Sequence, residues 1–213
     1  EEPQVLIMHT HGTESFMEKA GNYYTSSDSP RSRDNSKNMI KLGEKVTSIL
    51  NEAGIKTLHD KTHQDYPEYT GSYSRAKDTI SWYLKKYPSI KVVIDLHRDS
   101  ISSGSDKTKL VTEINGKKAA QVMLVMGSNS GSTTNHPKWQ ENLKLALKLQ
   151  QTVETEYPTL ARPLSLMPKN YNQSLTTGSL LLEIGTDANT LDEAMYSASL
   201  VGKSLAKLIN SIS

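Results

Sequence analysis

The chain contains no cysteine in 213 residues. That excludes a disulfide scaffold, a thiol nucleophile and any cysteine-bound zinc finger, and it fits a bacterial protein working outside the cytoplasm. No apolar run approaches the roughly eighteen residues needed to cross a bilayer. A charge of one sign is also missing. The formal net charge is +2, and the lysines are scattered rather than gathered into a basic stripe, so no nucleic-acid partner is expected. Aromatics are few, one Phe and two Trp against ten Tyr, which leaves tyrosine to line any polar groove. There is no initiator Met; the chain opens Glu1-Glu2-Pro3 two residues before an apolar run. It therefore reads as an excised domain or mature product, with any targeting segment already gone. The length suits one buried core, so residues 1–213 are expected to be a single domain.

Strand and helix signals alternate along the chain. Val5-Leu6-Ile7-Met8 is a fully apolar strand, and the Ser-, Asn- and Tyr-rich stretch 21–38 reads as a long loop. Met39, Leu42, Val46, Ile49, Leu50 and Ala53 mark one face of a helix stopped by Gly54. Further strands are expected at 55–59, 91–96 and 179–184, with helices over 73–87, 139–157 and 191–209. The third helix has a stripe of Leu143, Ala146, Leu147, Gln150 and Val153. Residues 100–107 and 160–175 read as irregular. Asn115-Gly116 is a strong hairpin signal between 110–114 and 120–126. The pattern predicts an α/β fold of three layers, with a mixed, mainly parallel sheet and helices on both faces.

Chemistry-bearing residues gather where strands should end, which in open α/β sheets is where ligands sit. His11-x-x-Glu14 follows the first strand, and His97 follows Val92-Val93-Ile94. Two imidazoles and a carboxylate leaving one position open make the usual catalytic zinc site. Glu183, in the last strand, supplies the candidate general base. Arg98 is a candidate partner for a developing oxyanion or a salt-bridge partner of Asp95 or Asp99. Asp95 and Asp99 also stand ready to accept from an imidazole. His9 lies two residues before His11 and is either an orienting or transition-state residue or a buried structural one. Tyr171-Asn172-Gln173 is either a substrate-binding segment or a turn.

HTHGTESF, IDLHRDS and LLLEIGTDANTLDEA together resemble the stage II sporulation protein P family of endospore-forming bacteria, over essentially the whole chain. That family is similar in fold to zinc-dependent N-acetylmuramoyl-L-alanine amidases and, through them, to zinc carboxypeptidases. The resemblance implies a Zn2+-dependent peptidoglycan hydrolase of sporulation engulfment. It would cut the amide between glycan and stem peptide, and peptide cross-links as well. It also implies membrane anchoring in the space between forespore and mother cell, with the sporulation lytic transglycosylase (protein D) and a membrane protein (protein M) as partners. Residue by residue, His11 and His97 match the ligand histidines and Glu183 the catalytic Glu. The third ligand is taken as Glu14, on the carboxypeptidase pattern, because a carboxylate three residues from His11 needs no loop ordering; Asp34, four residues before Asn38, is the alternative on the amidase pattern. Two alternatives stand beside the amidase. A carboxypeptidase-type peptidase would need Arg98 or Arg75 to clamp a terminal carboxylate. A metal-free wall-binding module would have no use for an intact ligand set.

Overall fold

A computed structural model describes residues 2–21, 23–24, 30–130 and 134–212. In chain order the elements are β1 (Val5–Met8), α1 (Met39–Glu52), β2 (Thr57–His59), α2 (Ser72–Lys86), β3 (Val92–Asp99), β4 (Ser102–Ser103), β5 (Asp106–Lys107), β6 (Val111–Ile114), β7 (Lys117–Ala120), β8 (Val122–Gly127), α3 (Trp139–Glu156), β9 (Ser165–Met167), β10 (Ser179–Thr186) and α4 (Leu191–Ile212). Six strands form the main sheet in the order β2-β1-β3-β10-β8-β9. All its pairs are parallel except β10 with β8. This is the mixed, mainly parallel sheet that the alternation of elements predicts.

The two faces are covered unequally. Val5 and Ile7 of β1, Ile94 and Leu96 of β3, and Leu180, Leu182 and Ile184 of β10 join the larger core with α1, α3 and α4. Leu6, Met8 and Val93, one residue out of phase, pack instead on Ala76 and Ile80 of α2. A strand's side chains alternate between faces, so each strand feeds both cores. Among the described residues only α2 covers the second face.

Several local signals act as expected. Asn38 caps α1 by accepting from the Ile40 N–H at 2.9 Å, and Gly54 takes a positive φ of 82° just beyond it. Asn115 and Gly116 both have positive φ, 51° and 74°, as a tight hairpin turn requires. The hairpin's second arm is β7, and the chain then bends into β8, so the turn makes a separate two-stranded ribbon. Three expectations are corrected. Residues 102–107 form a small antiparallel pair. The stretch 160–175 contains β9 and a 3-10 turn at 173–175. The buried stripe of α3 is Asn142, Ala146, Leu149 and Val153, while Leu147 is exposed. The length of 21–38 includes residues outside those described.

Helix α1 packs closely on β1 and β2 at Gly43. A Cβ there would stand 2.5 Å from His9 Nε2 and 2.4 Å from His59 Nε2. The two rings meet edge to face, with Nε2 atoms 2.8 Å apart, and His9 Nδ1 lies 3.2 Å from the Leu96 carbonyl. Burial and the neighbouring ring push His9 down to about 3, and burial with the Lys61 charge pushes His59 down to about 4. Both are neutral in the folded chain at pH 5–6.5, where the unfolded chain protonates them near 6.5. Their contribution to stability is therefore present above pH 6.5 and is lost as the pH falls towards the folded values. Denaturation between pH 6.5 and 5 should show stability falling with acid. His59→Gln should flatten that slope by about 1.4 kcal/mol per pH unit, the equivalent of one proton; an unchanged slope would clear the pair of this role.

Candidate metal centre and active site

The site is built on the face of the sheet that carries α2. His97 of β3 and Glu183 of β10 are direct partners in the parallel register, so both side chains leave the sheet on one side. Asp95, two residues before His97, shares that side. Beyond Glu183 the register shifts, and Gly185 has a φ of +68°. A Cβ there would lie 2.8 Å from Ala120 Cβ, so a glycine is needed where the strand bends away from the site. Strand β1 stops at Met8, and residues 10–13 turn across the top of β3. The Thr10 N–H and hydroxyl bind the two oxygens of Asp95 at 2.8 and 2.6 Å. That anchor sets His11 and Glu14 above His97.

His11, Glu14 and His97 converge, all three buried, with ligand-capable atoms within 4.8 Å of one another. Glu14 Oε1 is 3.4 Å from His11 Nδ1 and Glu14 Oε2 is 3.6 Å from His97 Nδ1. Tetrahedral donors around a first-row divalent metal are separated by about 3.4 Å, so the cluster fits such an ion. Each imidazole turns its other nitrogen to a supporting group. His11 Nε2 is 3.2 Å from Ser72 Oγ. His97 Nε2 is 3.0 Å from Asp95 Oδ1, close enough for an ion pair though off the line of a hydrogen bond. A ligand histidine braced in this way by a hydroxyl or carboxylate is the common arrangement in metal sites.

The electrostatics suit a cation. Burial opposes ionisation of Glu14, but the His11 hydrogen bond and the charges of His97 and Arg98 outweigh it and hold its pKa below the ordinary value. The Arg98 backbone N–H adds a hydrogen bond to Glu14 Oε2 at 3.2 Å. Burial also works against a charged His97, yet Asp95, Glu14 and Glu183 raise it to about 10. Glu183 is pushed up to about 8 by burial, with Glu14 adding to the rise against the pull of His97. Its Oε2 is sealed from solvent with no hydrogen-bond partner among the described residues. An orphaned carboxylate oxygen beside two imidazoles is ready for a proton or a cation.

Tyrosines wall the site. Tyr69 stacks on His11 with ring centroids 4.6 Å apart, and Tyr73 stands 5.6 Å from His11 and 6.4 Å from His97. Burial, then the Asp95 and Glu183 charges, push Tyr73 far above the phenol range, so it stays a neutral hydroxyl. Gly71 starts α2 with φ +84°, which lets Ser72 and Tyr73 point straight into the site. Residues 63–73 read in sequence as a polar, aromatic loop; the available signal was Tyr66, Tyr69 and Tyr73 crowded just ahead of a helix.

Other expected residues are placed elsewhere. Asp34 is exposed, and its Oδ1 accepts from the Ser36 N–H and hydroxyl at 2.9 and 2.7 Å, a local turn apart from the cluster. Arg98 does not face the site. Its Nε donates to the Ser15 carbonyl at 2.8 Å, with further bonds to the carbonyls of Pro30 and Asp99, and Asp99 pairs with Arg162 at 2.8 Å. Neither anticipated arginine–aspartate bridge forms, because the guanidinium is taken up by loop carbonyls. Arg75 is likewise committed to the carbonyls of Gln64, Glu68 and Thr70, so neither arginine is set as a carboxylate clamp. His9 diverges from His11 because the strand ends before it, and it joins His59 under α1. Gln173 is buried, accepting from Gly127 N–H at 2.8 Å and donating to the Val125 carbonyl at 2.9 Å. Asn172 donates to the Tyr73 carbonyl at 2.8 Å. Of that trio only Tyr171 borders the site, 6.1 Å from Tyr73.

Residues 1–206 match the family described as Stage II sporulation protein P (SpoIIP). A curated relative, stage II sporulation protein P of Bacillus subtilis (strain 168), is 29% identical over 207 residues, covering 91% of this chain and 48% of the relative. The chain thus spans about half the length of that protein. Among solved structures, the N-acetylmuramoyl-L-alanine amidase AmiC2 of Nostoc punctiforme aligns with a TM-score of 0.56 at 13% identity, covering 100% of this chain and 97% of the other. The CwlD amidase from Clostridioides difficile aligns with a TM-score of 0.57 at 9% identity, covering 98% and 99%. These likenesses show a shared three-layer α/β fold. With residues 1–206 accounted for by one family, the chain belongs to the stage II sporulation protein P (SpoIIP) family.

Proposed function

We propose that this chain is a zinc-dependent peptidoglycan hydrolase that cleaves the amide between N-acetylmuramic acid and the L-alanine of the stem peptide. The observation that carries the reading is the meeting of His11, Glu14 and His97 at donor spacing, with Glu183 beside them in register. Family membership and a fold shared with proteins named as amidases support it. His11, Glu14 and His97 would hold zinc, which when bound supplies a Lewis acid for the scissile carbonyl and makes water acidic enough to attack near neutral pH.

The chain's own residues do the rest. Glu183, with a pKa raised towards neutrality by burial, accepts a proton from the attacking water and delivers it to the departing nitrogen, so that an amine leaves rather than an amide anion. Asp95 and Ser72 fix the imidazole orientations. Tyr69 and Tyr73 restrict solvent access to the reacting carbonyl. The same reading includes cutting of peptide cross-links at this site. It also includes work outside the cytoplasm as a membrane-anchored protein of the engulfment machinery, with the lytic transglycosylase (protein D) and the membrane protein M as partners.

Three outcomes follow. Mass spectrometry of purified peptidoglycan digested by the chain with zinc should show free stem peptides, abolished by chelation. Trimmed stem-peptide ends would assign a peptidase instead, and wall binding without release a binding module. Glu183→Gln should cut the rate by about 10²–10⁴ while the chain still binds one zinc; loss of the metal along with activity would contradict the base assignment. Finally, His97 holds a proton in the metal-free chain that must leave when its nitrogen becomes a ligand. Zinc affinity should therefore rise with pH between 6 and 8, and Asp95→Asn should lower it by about 10–100-fold. Chelator competition at several pH values reads both effects, and a pH-independent affinity would exclude His97 as a ligand.

A further inference from the structure

Two arginine–tyrosine pairs flank the candidate metal cluster, and of their four side chains only Tyr69 enters the chemistry above. The Arg31 guanidinium lies over the Tyr69 ring at 4.7 Å from its centroid, and that of Arg33 over Tyr66 at 4.6 Å. Arg33 also donates to the Tyr66 hydroxyl at 2.8 Å. Tyr69 is the ring stacked on His11, and an Arg31 nitrogen is 3.8 Å from Glu14 Oε1, so the inner pair abuts the cluster. The outer pair continues from it, two residues on along one segment and three residues back along the other. Both rings are largely open to solvent, Tyr69 at 55% and Tyr66 at 48%.

This exposed surface rests on a buried frame. Arg31 is tied to buried Asp65 at 2.5 Å and to Thr13 Oγ1 at 3.2 Å. Arg75 staples the tyrosine-bearing segment through its three carbonyl contacts. His63 Nε2 meets Asn35 Oδ1 at 2.7 Å, joining that segment to the one carrying the arginines. The nearby carboxylates of Asp65 and Asp34 are turned to Arg31 and Ser36. Arg33 forms no ion pair among the described residues, so its charge is not locally neutralised.

A guanidinium carries five N–H donors; Arg31 spends its own on Asp65 and Thr13, whereas Arg33 commits one nitrogen to the Tyr66 hydroxyl and keeps N–H groups that match a carboxylate. The exposed Tyr66 ring beside it accepts short aliphatic groups. This chemistry selects an anionic peptide over a neutral sugar. In the substrate of the proposed reaction the glycan is uncharged around the scissile amide, whereas the stem peptide carries free carboxylates. We propose that Arg31–Tyr69 and Arg33–Tyr66 form the subsite for the carboxylate-bearing stem peptide, with Arg33 pairing to the glutamate α-carboxylate, the one nearest the scissile amide; this rests on the peptidoglycan reading of the site. Arg33 is then a specificity residue, and the peptide runs from the metal cluster along the ledge.

The test compares two soluble muramyl tripeptides, identical except that the glutamate α-carboxyl is free in one and a carboxamide in the other. Calorimetric binding to zinc-loaded Glu183→Gln chain should favour the free acid, and the preference should shrink between about 0.05 and about 0.5 M salt. Adding Arg33→Gln should weaken the acid by about fivefold, leave the carboxamide unchanged, and be partly rescued by Arg33→Lys. Equal affinities for the two ligands, or an equal loss on both, would overturn the subsite. Cleavage by the chain with its native Glu183, measured in parallel, separates this from the parent reading. Cleavage without Arg33-dependent discrimination sinks the ledge alone. Arg33-dependent binding without cleavage sinks the amidase alone. Neither binding nor cleavage sinks both.

Discussion

The parallel pairing of β3 with β1 on one side and β10 on the other is the constraint on which the site depends. Register aligns Met8 with Asp95 and Glu183 with His97. Strand alternation then sends Asp95, His97 and Glu183 to the face with the single helix, while Ile94, Leu96 and Leu182 close the larger core. A slip of one residue in either pair would turn the site residues into that core and expose its leucines. The hydrophobic pattern that stabilises the sheet thus also places the chemistry. Turn 10–13 and the first turn of α2 complete the site, one tied to Asp95 through Thr10 and the other meeting His11 through Ser72.

Three carboxylates, Glu14, Asp95 and Glu183, crowd two imidazoles in this buried space. Such a group is costly to bury unless each charge is answered. Asp95 is answered by Thr10 and His97, and Glu14 by His11, His97 and the Arg98 N–H. Glu183 lacks a comparable partner, and its raised pKa reports that. A cation held between His11, Glu14 and His97 would offset the remaining negative charge. The arginines meanwhile divide by role. Arg98 and Arg75 spend their forks on backbone carbonyls of loops that cannot pair in the sheet, whereas Arg31 and Arg33 lie on exposed rings.

Features set by a few adjacent residues were legible in the sequence. Gly54 ends α1 through its own backbone preference, and Asn115-Gly116 turns a hairpin for the same reason. The convergence of His11, Glu14, His97 and Glu183 was legible because each stands at the end of an apolar strand, and strand ends are brought together by parallel pairing. The α3 stripe was less so. Leu147 and Leu149 both suit a helical period, and only the position of α3 on the sheet decides that Leu149 is buried and Leu147 exposed. For Arg98, a position next to His97 carried no information about where a long side chain would find acceptors. The separation of His9 from His11 follows from β1 stopping at Met8, after which the chain turns and strand alternation no longer relates the two histidines.

By itself, the sequence determined the fold class, the strand-end motifs and the absence of thiol chemistry, since periodicity, turn chemistry and composition are local properties of the chain. Spacing from His11 favoured Glu14 over Asp34, and tertiary structure is what sets that carboxylate beside the histidines. Glu14 is folded back by the turn held on Asp95, while Asp34, equally close to a family pattern, is captured by Ser36 in an exposed turn. It alone laid Tyr69 on His11 and Arg31 on Tyr69. Those contacts join segments remote in the chain, and their geometry is set by the packing of α2 and the loops around it, which no local pattern encodes.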